Sequence, residues 1–479
     1  MTGIAPDGAL HVASRRVDAG QTCVVHEPWS GAEVGRVVLA DEARADEATR
    51  ATLAAFAALK TRTSYERKTA LARIAREIDA RKETFAELIA REAGKPIAQA
   101  RAEVNRAVTT FDLGAEEATR IEGSAMPLDI TATTKGYSGT WVRVPAGPVI
   151  AISPFNFPLN LVAHKLSPAL ACGCPVVLKP PPQAPLTSLL LAECVRASGA
   201  PENAVQVLPC EVSVAERLVQ DPRFATLSFT GSAKVGWHLR SVAGKKRVLL
   251  ELGGNAAALV HDDAPLDWAL ERIVSGAFAY AGQVCIKVQR LYVHRPIADR
   301  LVSRIVDRAA AIEPKSPLDP TAICGPMIDE ANAQRVQAWV GEAVGRGARV
   351  LCGARREGNR YWPTVLEIEG AGHGLKVVDE EVFGPVLTVH RYDAWDAAID
   401  MADATRYGLQ AGVFTDSRSR VAEAFAKLHV GGLVVNDVPT FRVDSMPYGG
   451  VRDSGFGREG VRFAIEEMTE RKLLVVREG

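Results

Sequence analysis

The run Ala225-Thr226-Leu227-Ser228-Phe229-Thr230-Gly231-Ser232-Ala233-Lys234-Val235-Gly236 (ATLSFTGSAKVG) decides the fold. Residues 225–229 read as a short buried strand, Thr230-Gly231-Ser232 breaks it, and a helix opens directly afterwards. Working outward, the same punctuation recurs. Short strand-like runs at Pro148–Ile152, Pro175–Lys179, Ala204–Leu208 and Arg247–Leu250 alternate with helix-compatible stretches at 158–171, 186–199, 213–219 and 232–242. Such alternation implies an α/β fold with a parallel, doubly wound sheet and helices on both faces. Ligands of such sheets bind beyond the carboxyl ends of the strands, so the loop after each strand is where chemistry is sought.

After residue 254 a second alternating block follows. Helices are expected at 266–281, 297–311, 329–347 and 394–405, with strands at 289–294, Val386–Tyr392 and Leu433–Asn436. Upstream, Leu71, Ile74, Ile78, Phe85, Leu88 and Ile89 mark an amphipathic helical stretch over Ser64–Ala93, broken once and stopped by Gly94-Lys95-Pro96. A second helix carries Val104, Ala107, Val108 and Phe111 on one side. The segment 122–145 reads as a β-hairpin with its turn at Gly136-Tyr137-Ser138-Gly139. The whole is thus two α/β domains with a cleft between them and a small β extension.

Composition limits the function. A chain of 479 residues, 47% hydrophobic, buries large cores. Its 57 Lys plus Arg equal its 57 Asp plus Glu, so no long-range field points to nucleic acid or an anionic membrane. No apolar run reaches the roughly 18 residues of a membrane span, and MTGIAPDGAL lacks the features of a secretion signal. A cytoplasmic protein is expected. The eight cysteines are scattered through a core-rich chain and read as thiols; Cys172-Gly173-Cys174 sits among apolar residues and reads as packing, so no metal site is expected.

Several residues at strand ends carry candidate chemistry, each with a plainer alternative. Gly231 and Ser232 suit a phosphate at a helix N-terminus, or form an ordinary strand-to-helix turn. Lys179 reaches a nucleotide or is a surface charge. Asn156, held in Ser153-Pro154-Phe155-Asn156-Phe157-Pro158, is an oxyanion donor or a helix cap. Glu251, beside Gly253-Gly254, is a general base or a structural ion pair. Cys285, in Ala279-Tyr280-Ala281-Gly282-Gln283-Val284-Cys285, is a buried small hydrophobe or a nucleophile freed by a flexible Gly-Gln step.

The order of these motifs, with Leu178-Lys179-Pro180, Glu381-Val382-Phe383-Gly384-Pro385 and Ser454-Gly455-Phe456-Gly457-Arg458-Glu459 added, resembles the NAD(P)-dependent aldehyde dehydrogenase superfamily along essentially the whole chain. The resemblance implies that fold: an NAD(P)-binding domain at 1–121 and 146–253, a catalytic domain at 254–445, and an oligomerisation element at 122–145 and 460–479. It implies that Cys285 attacks the aldehyde to give a thiohemiacetal, that Asn156 and the Cys285 N–H form the oxyanion hole, and that Glu251 activates the water hydrolysing the resulting thioester. Lys179 would bind the adenosine ribose, Gly231 and Ser232 the pyrophosphate, Glu381 the nicotinamide ribose, and Phe383 would pack near the nicotinamide.

Two departures stand out. Pro182 occupies a position where many NAD-preferring relatives carry glutamate, which leaves NAD or NADP open, and Phe155 replaces the family's usual tryptophan. The region Pro439–Gly450 is similar to a subgroup with lactaldehyde, non-phosphorylating glyceraldehyde-3-phosphate and phosphonoacetaldehyde dehydrogenases. Arg442 and Arg106 would then face the aldehyde entrance from two sides and favour a small polar or anionic aldehyde; the alternative is that they form structural ion pairs. A homodimer or homotetramer is expected. The competing readings are a coenzyme A-acylating semialdehyde dehydrogenase, against which Glu251 counts, and a catalytically retired structural or binding protein.

Overall fold

A computed structural model describes residues 6–478. Residues 1–5, half of the MTGIAPDGAL start, and residue 479 lie outside it. The first sheet has the strand order Gly455–Phe456, Arg247–Glu251, Thr226–Thr230, Val149–Ile152, Val176–Lys179, Val205–Val207, parallel except for the short first strand. Side chains alternate along each strand as the pleat requires. Val149 and Ala151 pack under the helices Ile97–Glu117, Asn160–Cys172 and Leu186–Ala197. Ile150 and Ile152 face the other layer, with Ala48, Val214 and Leu239 from the helices Glu42–Leu59, Val212–Gln220 and Ala233–Val242. Doubly wound packing of this kind buries both faces, which is why these strands are so uniformly apolar.

The second sheet has seven strands in the order Arg349–Cys352, Thr364–Glu367, Val386–Tyr392, Arg290–His294, Ala257–Val260, Gln410–Phe414, Gly432–Val435. All pairings are parallel except that of Arg349–Cys352. Three of its inner strands, Ala257–Val260, Thr364–Glu367 and Gln410–Phe414, escape the sequence reading. Each is only four or five residues long, so neither length nor alternation distinguishes it from a buried loop.

The upstream helix does break once: it is two helices, Ser64–Ala80 and Lys82–Ala93, joined at Arg81. Thr63 and Glu66 form a capping box at the start, and Gly94 ends the second helix in the left-handed conformation (φ 67°) that a Cβ disfavours. The hairpin differs from expectation. Its strands are Gly123–Pro127 and Tyr137–Pro145, so Tyr137-Ser138-Gly139 lies in the second strand and the reversal spans 128–136. Gly136 supplies the left-handed bend (φ 83°), and the alternation seen at Thr140–Val144 simply starts three residues earlier. Strand Thr469–Arg477 completes a three-stranded antiparallel sheet with it. Cys172 and Cys174 are buried in the core, their sulfurs 3.6 Å apart.

Candidate active site

A cavity of about 650 Å³ lies between the two sheets. The first sheet meets it with carboxyl ends. Register places Glu251 beside Thr230, and Ile152 beside both Phe229 and Lys179, so the loops carrying Asn156, Gly231 and Glu251 leave one edge together. The second sheet meets it with amino ends, because Cys285 precedes the strand at Arg290 and Glu381-Phe383 precedes the strand at Val386.

The thiol loop is held stiffly. After the helix Leu266–Phe278 come three successive left-handed residues, Tyr280 (φ 54°), Ala281 (φ 52°) and Gly282 (φ 64°). Two of them bear side chains, a conformation that persists only where surroundings impose it. They do: Tyr280 donates its hydroxyl to the Ala93 carbonyl (2.8 Å), and Gln283 is fully buried, accepting from the Ile328 N–H at 2.8 Å. The Gly282-Gln283 step is therefore pinned rather than flexible.

Asn156 is buried and donates Nδ2–H to the Gln283 carbonyl at 3.0 Å, which fixes the carboxamide against the thiol loop and leaves its second N–H uncommitted. Its own loop is anchored from beneath. The Glu103 carboxylate accepts the N–H groups of Leu159 (2.9 Å) and Asn160 (3.1 Å) at the start of the next helix and pairs with buried Lys95. The Lys95 ammonium lies 3.5 Å over the Phe157 ring and 4.8 Å from the Tyr280 ring, so one cation ties the asparagine loop to the thiol loop. In the sequence Lys95 was legible only as part of a helix stop.

Burial pushes the Cys285 thiol up to about 11, opposed by a contact with the Tyr448 hydroxyl 3.2 Å away. Glu251 is buried at its strand end, one carboxyl oxygen without a partner among the described residues. Burial, reinforced by the negative charge of Glu459, pushes its pKa well above the carboxylate range. Burial would raise Glu459 too, but Lys165 (3.4 Å) and Arg442 (3.0 Å) more than offset it and keep Glu459 ionised. Two neighbouring carboxyls pushed apart in this way divide into one that holds a proton and one that does not. Tyr448, Lys165 and Glu459 were not assigned roles from sequence; Glu459 lay inside a quoted motif, whereas buried Lys165 has no local signal.

The cofactor candidates divide. Ser232 caps the helix Ala233–Val242, accepting from the Val235 N–H, while the Gly231 N–H is spent on the Glu251 carbonyl (3.0 Å). The anion donors left at this helix start are the N–H groups of Ala233 and Lys234, whose residues line the cavity. Gly231 matters for space: a Cβ there would meet the Phe229 ring at 2.6 Å. Glu381 lies in the cavity wall, accepting from the Gly254 N–H at 3.2 Å, and burial raises it to about 7. Phe383 (φ 45°) meets Phe155 edge-to-face at 5.9 Å, one ring from each sheet. Lys179 sits buried at its strand end but outside the cavity wall. A helix start, a buried carboxylate and an aromatic pair lining one cavity fit a nicotinamide dinucleotide.

Arg106 and Arg442 both line the cavity, and both form ion pairs. Asp444 takes the Nε and Nη2 edge of Arg106 (3.2 and 2.7 Å) and also contacts Asn160 and His164. Arg442 gives Nη2 to Glu459 and stacks 3.7 Å from the Tyr448 ring centre.

Among the described residues one group, His261, Asp262 and His294, brings three possible metal ligands together at the far end of the second sheet. The two imidazoles stack nearly parallel at 4.1 Å, so no single ion lies in both ring planes.

The described aldehyde dehydrogenase family matches residues 16–474. The chain belongs to the aldehyde dehydrogenase family. This aldehyde dehydrogenase is 43% identical over 433 residues to the 3-sulfolactaldehyde dehydrogenase of Priestia megaterium, covering 90% of each chain. The crystal structure of aldehyde dehydrogenase 21 from Physcomitrella patens, in complex with the reaction product succinate, superposes with a TM-score of 0.95 at 40% identity, covering 98% of each chain. The glyceraldehyde-3-phosphate dehydrogenase GapN of Methanocaldococcus jannaschii, complexed with NADP, gives 0.92 at 34% identity, covering 96% of this chain and all of that one. This chain is an NAD(P)-dependent aldehyde dehydrogenase with the fold of its family. No helix among the described residues is long and apolar enough to cross a membrane.

Proposed function

We propose that this aldehyde dehydrogenase oxidises a small aldehyde bearing an anionic group, a carboxylate or sulfonate, to the free acid. The observation that carries this reading is the placement of Arg106 and Arg442 in the wall of the cavity that holds Cys285. Asp444 and Glu459 fix one side of each guanidinium, and neither Nη1 has a bonded partner among the described residues. Preorganised guanidinium N–H groups facing a part-dry cavity bind an anion with little ordering cost. Relatives named for a sulfonated aldehyde, or crystallised with succinate, carry substrates or products of the same charge class.

Cys285 adds to the carbonyl carbon while Asn156 Nδ2–H and the Cys285 N–H receive the oxyanion. NAD(P), when bound here, would supply the hydride acceptor. Glu381 would hold the nicotinamide ribose hydroxyls, the helix start at Ala233-Lys234 the pyrophosphate, and Lys179, at its strand end outside the cavity wall, the adenosine ribose where the cofactor leaves the cavity, while Phe155 and Phe383 would wall off water. Glu251, once deprotonated, takes a proton from the water that hydrolyses the thioester. A buried carboxyl with a free oxygen in the cavity wall supports hydrolysis over transfer to coenzyme A. The exposed sheet at Thr469–Arg477, with Leu473, Leu474, Val475 and Val476 all about half exposed, supports a homo-oligomer in which partners cover it.

The test is a panel of neutral and anionic aldehydes with Arg106→Leu. A 10- to 100-fold loss of kcat/KM for succinic semialdehyde and 3-sulfolactaldehyde, with propionaldehyde unchanged, is expected on the order of one charged hydrogen bond. Equal losses for neutral and anionic aldehydes would sink the reading.

A further inference from the structure

Tyr448 sits where the reacting sulfur is. Its hydroxyl is 3.2 Å from Cys285 Sγ and has no other hydrogen-bond partner among the described residues. The residue is almost wholly buried and packs with Ile286 and Leu409. Its position is over-determined: the Tyr448 N–H donates to the Glu459 carbonyl at 3.0 Å, the Glu459 N–H donates back to the Tyr448 carbonyl at 2.7 Å, and the Arg442 guanidinium covers the ring face at 3.7 Å. A phenylalanine would fill the same space without a polar atom to satisfy, so packing does not account for the hydroxyl.

We propose that Tyr448 is a catalytic residue whose phenol O–H donates to the sulfur of Cys285 and stabilises it as the thiolate that attacks the aldehyde. The proposal rests on Cys285 being the nucleophile. Burial keeps the phenol protonated far above neutral pH, so Tyr448 remains a donor throughout.

The groups facing the sulfur otherwise divide. Glu381 and Glu251 carry or acquire negative charge and oppose the thiolate, whereas Arg442 favours it from behind the Tyr448 ring. In the first step the S–H proton leaves to solvent, Cys285 being only part-buried, while Glu251 stays out of the step. The sulfur lone pair then forms the C–S bond and the carbonyl π pair moves onto oxygen; the Tyr448 proton stays on Tyr448.

A donor to sulfur raises the thiolate fraction and lowers its nucleophilicity, and magnitudes decide between these. Each unit of pKa lowering multiplies thiolate about tenfold while the intrinsic rate falls only about threefold, so the net effect on attack is favourable.

The test is alkylation of the full-length, cofactor-free enzyme by iodoacetamide from pH 6 to 11, with modification of Cys285 read by mass spectrometry. In Tyr448→Phe the rising limb of the profile should shift up in pH, its inflection leaving the scanned range, and the rate at pH 7.5 should fall about three- to tenfold. Thermal unfolding is followed alongside, since Phe keeps the ring and its packing. Superimposable pH profiles for the wild type and Tyr448→Phe overturn the proposal. Retention of aldehyde oxidation in Cys285→Ser would instead overturn the nucleophile assignment, so the two failures are distinguishable.

Discussion

The first sheet offers the cavity its carboxyl edge, and the second offers its amino edge. At the carboxyl edge, loops leave the strands carrying Asn156, Gly231 and Glu251, and the helix Ala233–Val242 starts directly after Gly231-Ser232, with Ala233 and Lys234 in the cavity wall. At the amino edge the functional residues, Cys285, Glu381 and Phe383, come before their strands, on loops that no helix start polarises. In the proposed mechanism the difference matters for two groups: a pyrophosphate would meet the edge with a helix start, whereas the thiol of Cys285 lies on the edge without one. A sulfur at the second edge must find its stabilisation in side chains.

If the two edges act as one centre, removing the nucleophile from the second edge should have the largest effect. Cys285→Ala is expected to lower turnover by about 10⁴-fold or more while dinucleotide binding, measured by fluorescence titration, stays within a factor of a few. Glu251→Gln, on the first edge, is expected to lower steady-state turnover about 10²- to 10⁴-fold yet leave a burst of reduced nicotinamide, because acylation precedes water activation. The same group gives a pH signature. Its pKa is raised by burial, and only the carboxylate is a base, so wild-type turnover rises as pH increases through that pKa and the Gln variant loses this limb.

Asn156→Ala comes next, with a kcat loss of about 10²- to 10³-fold for one oxyanion donor. Because Asn156 also grips the Gln283 carbonyl, combining it with Cys285→Ala should cost little beyond the cysteine change alone; additive losses would show that the edges act separately. The smallest effect is expected from Phe155→Leu, which removes the edge-to-face contact with Phe383. An interaction of about 0.5–1.5 kcal/mol predicts a two- to tenfold weaker dinucleotide affinity.

The edge difference also explains what the sequence disclosed. The five parallel strands of the first sheet were legible, because buried parallel strands are apolar runs with glycine or proline punctuation, whereas the two-residue edge strand Gly455–Phe456 was not; the rule about carboxyl ends then pointed at Asn156, Gly231 and Glu251. No such rule reaches residues ahead of a strand. Glu381 and Phe383 could be singled out only through the resemblance of their motifs, and Cys285, though a candidate from its Gly-Gln step, kept plain packing as its alternative until then. Lys95, Lys165 and Tyr448 stayed hidden for a further reason: a buried lysine or tyrosine has meaning through its partners, and those lie across the cavity or in another loop. Asp444 was quoted within a motif, but nothing local shows that it would hold Arg106, 338 residues upstream.

Asp444 has a consequence for engineering. It fastens the loop carrying Arg442 to Arg106, Asn160 and His164 through side chains alone, at a place where neither Cys285 nor Glu251 takes part. The loop is thus an exchangeable cartridge with its own latch. A library that varies residues 439–441 and 443 while keeping Asp444 and Arg442, which holds Glu459 and the Tyr448 ring, can explore new aldehyde tails without dismantling the parts that oxidise them.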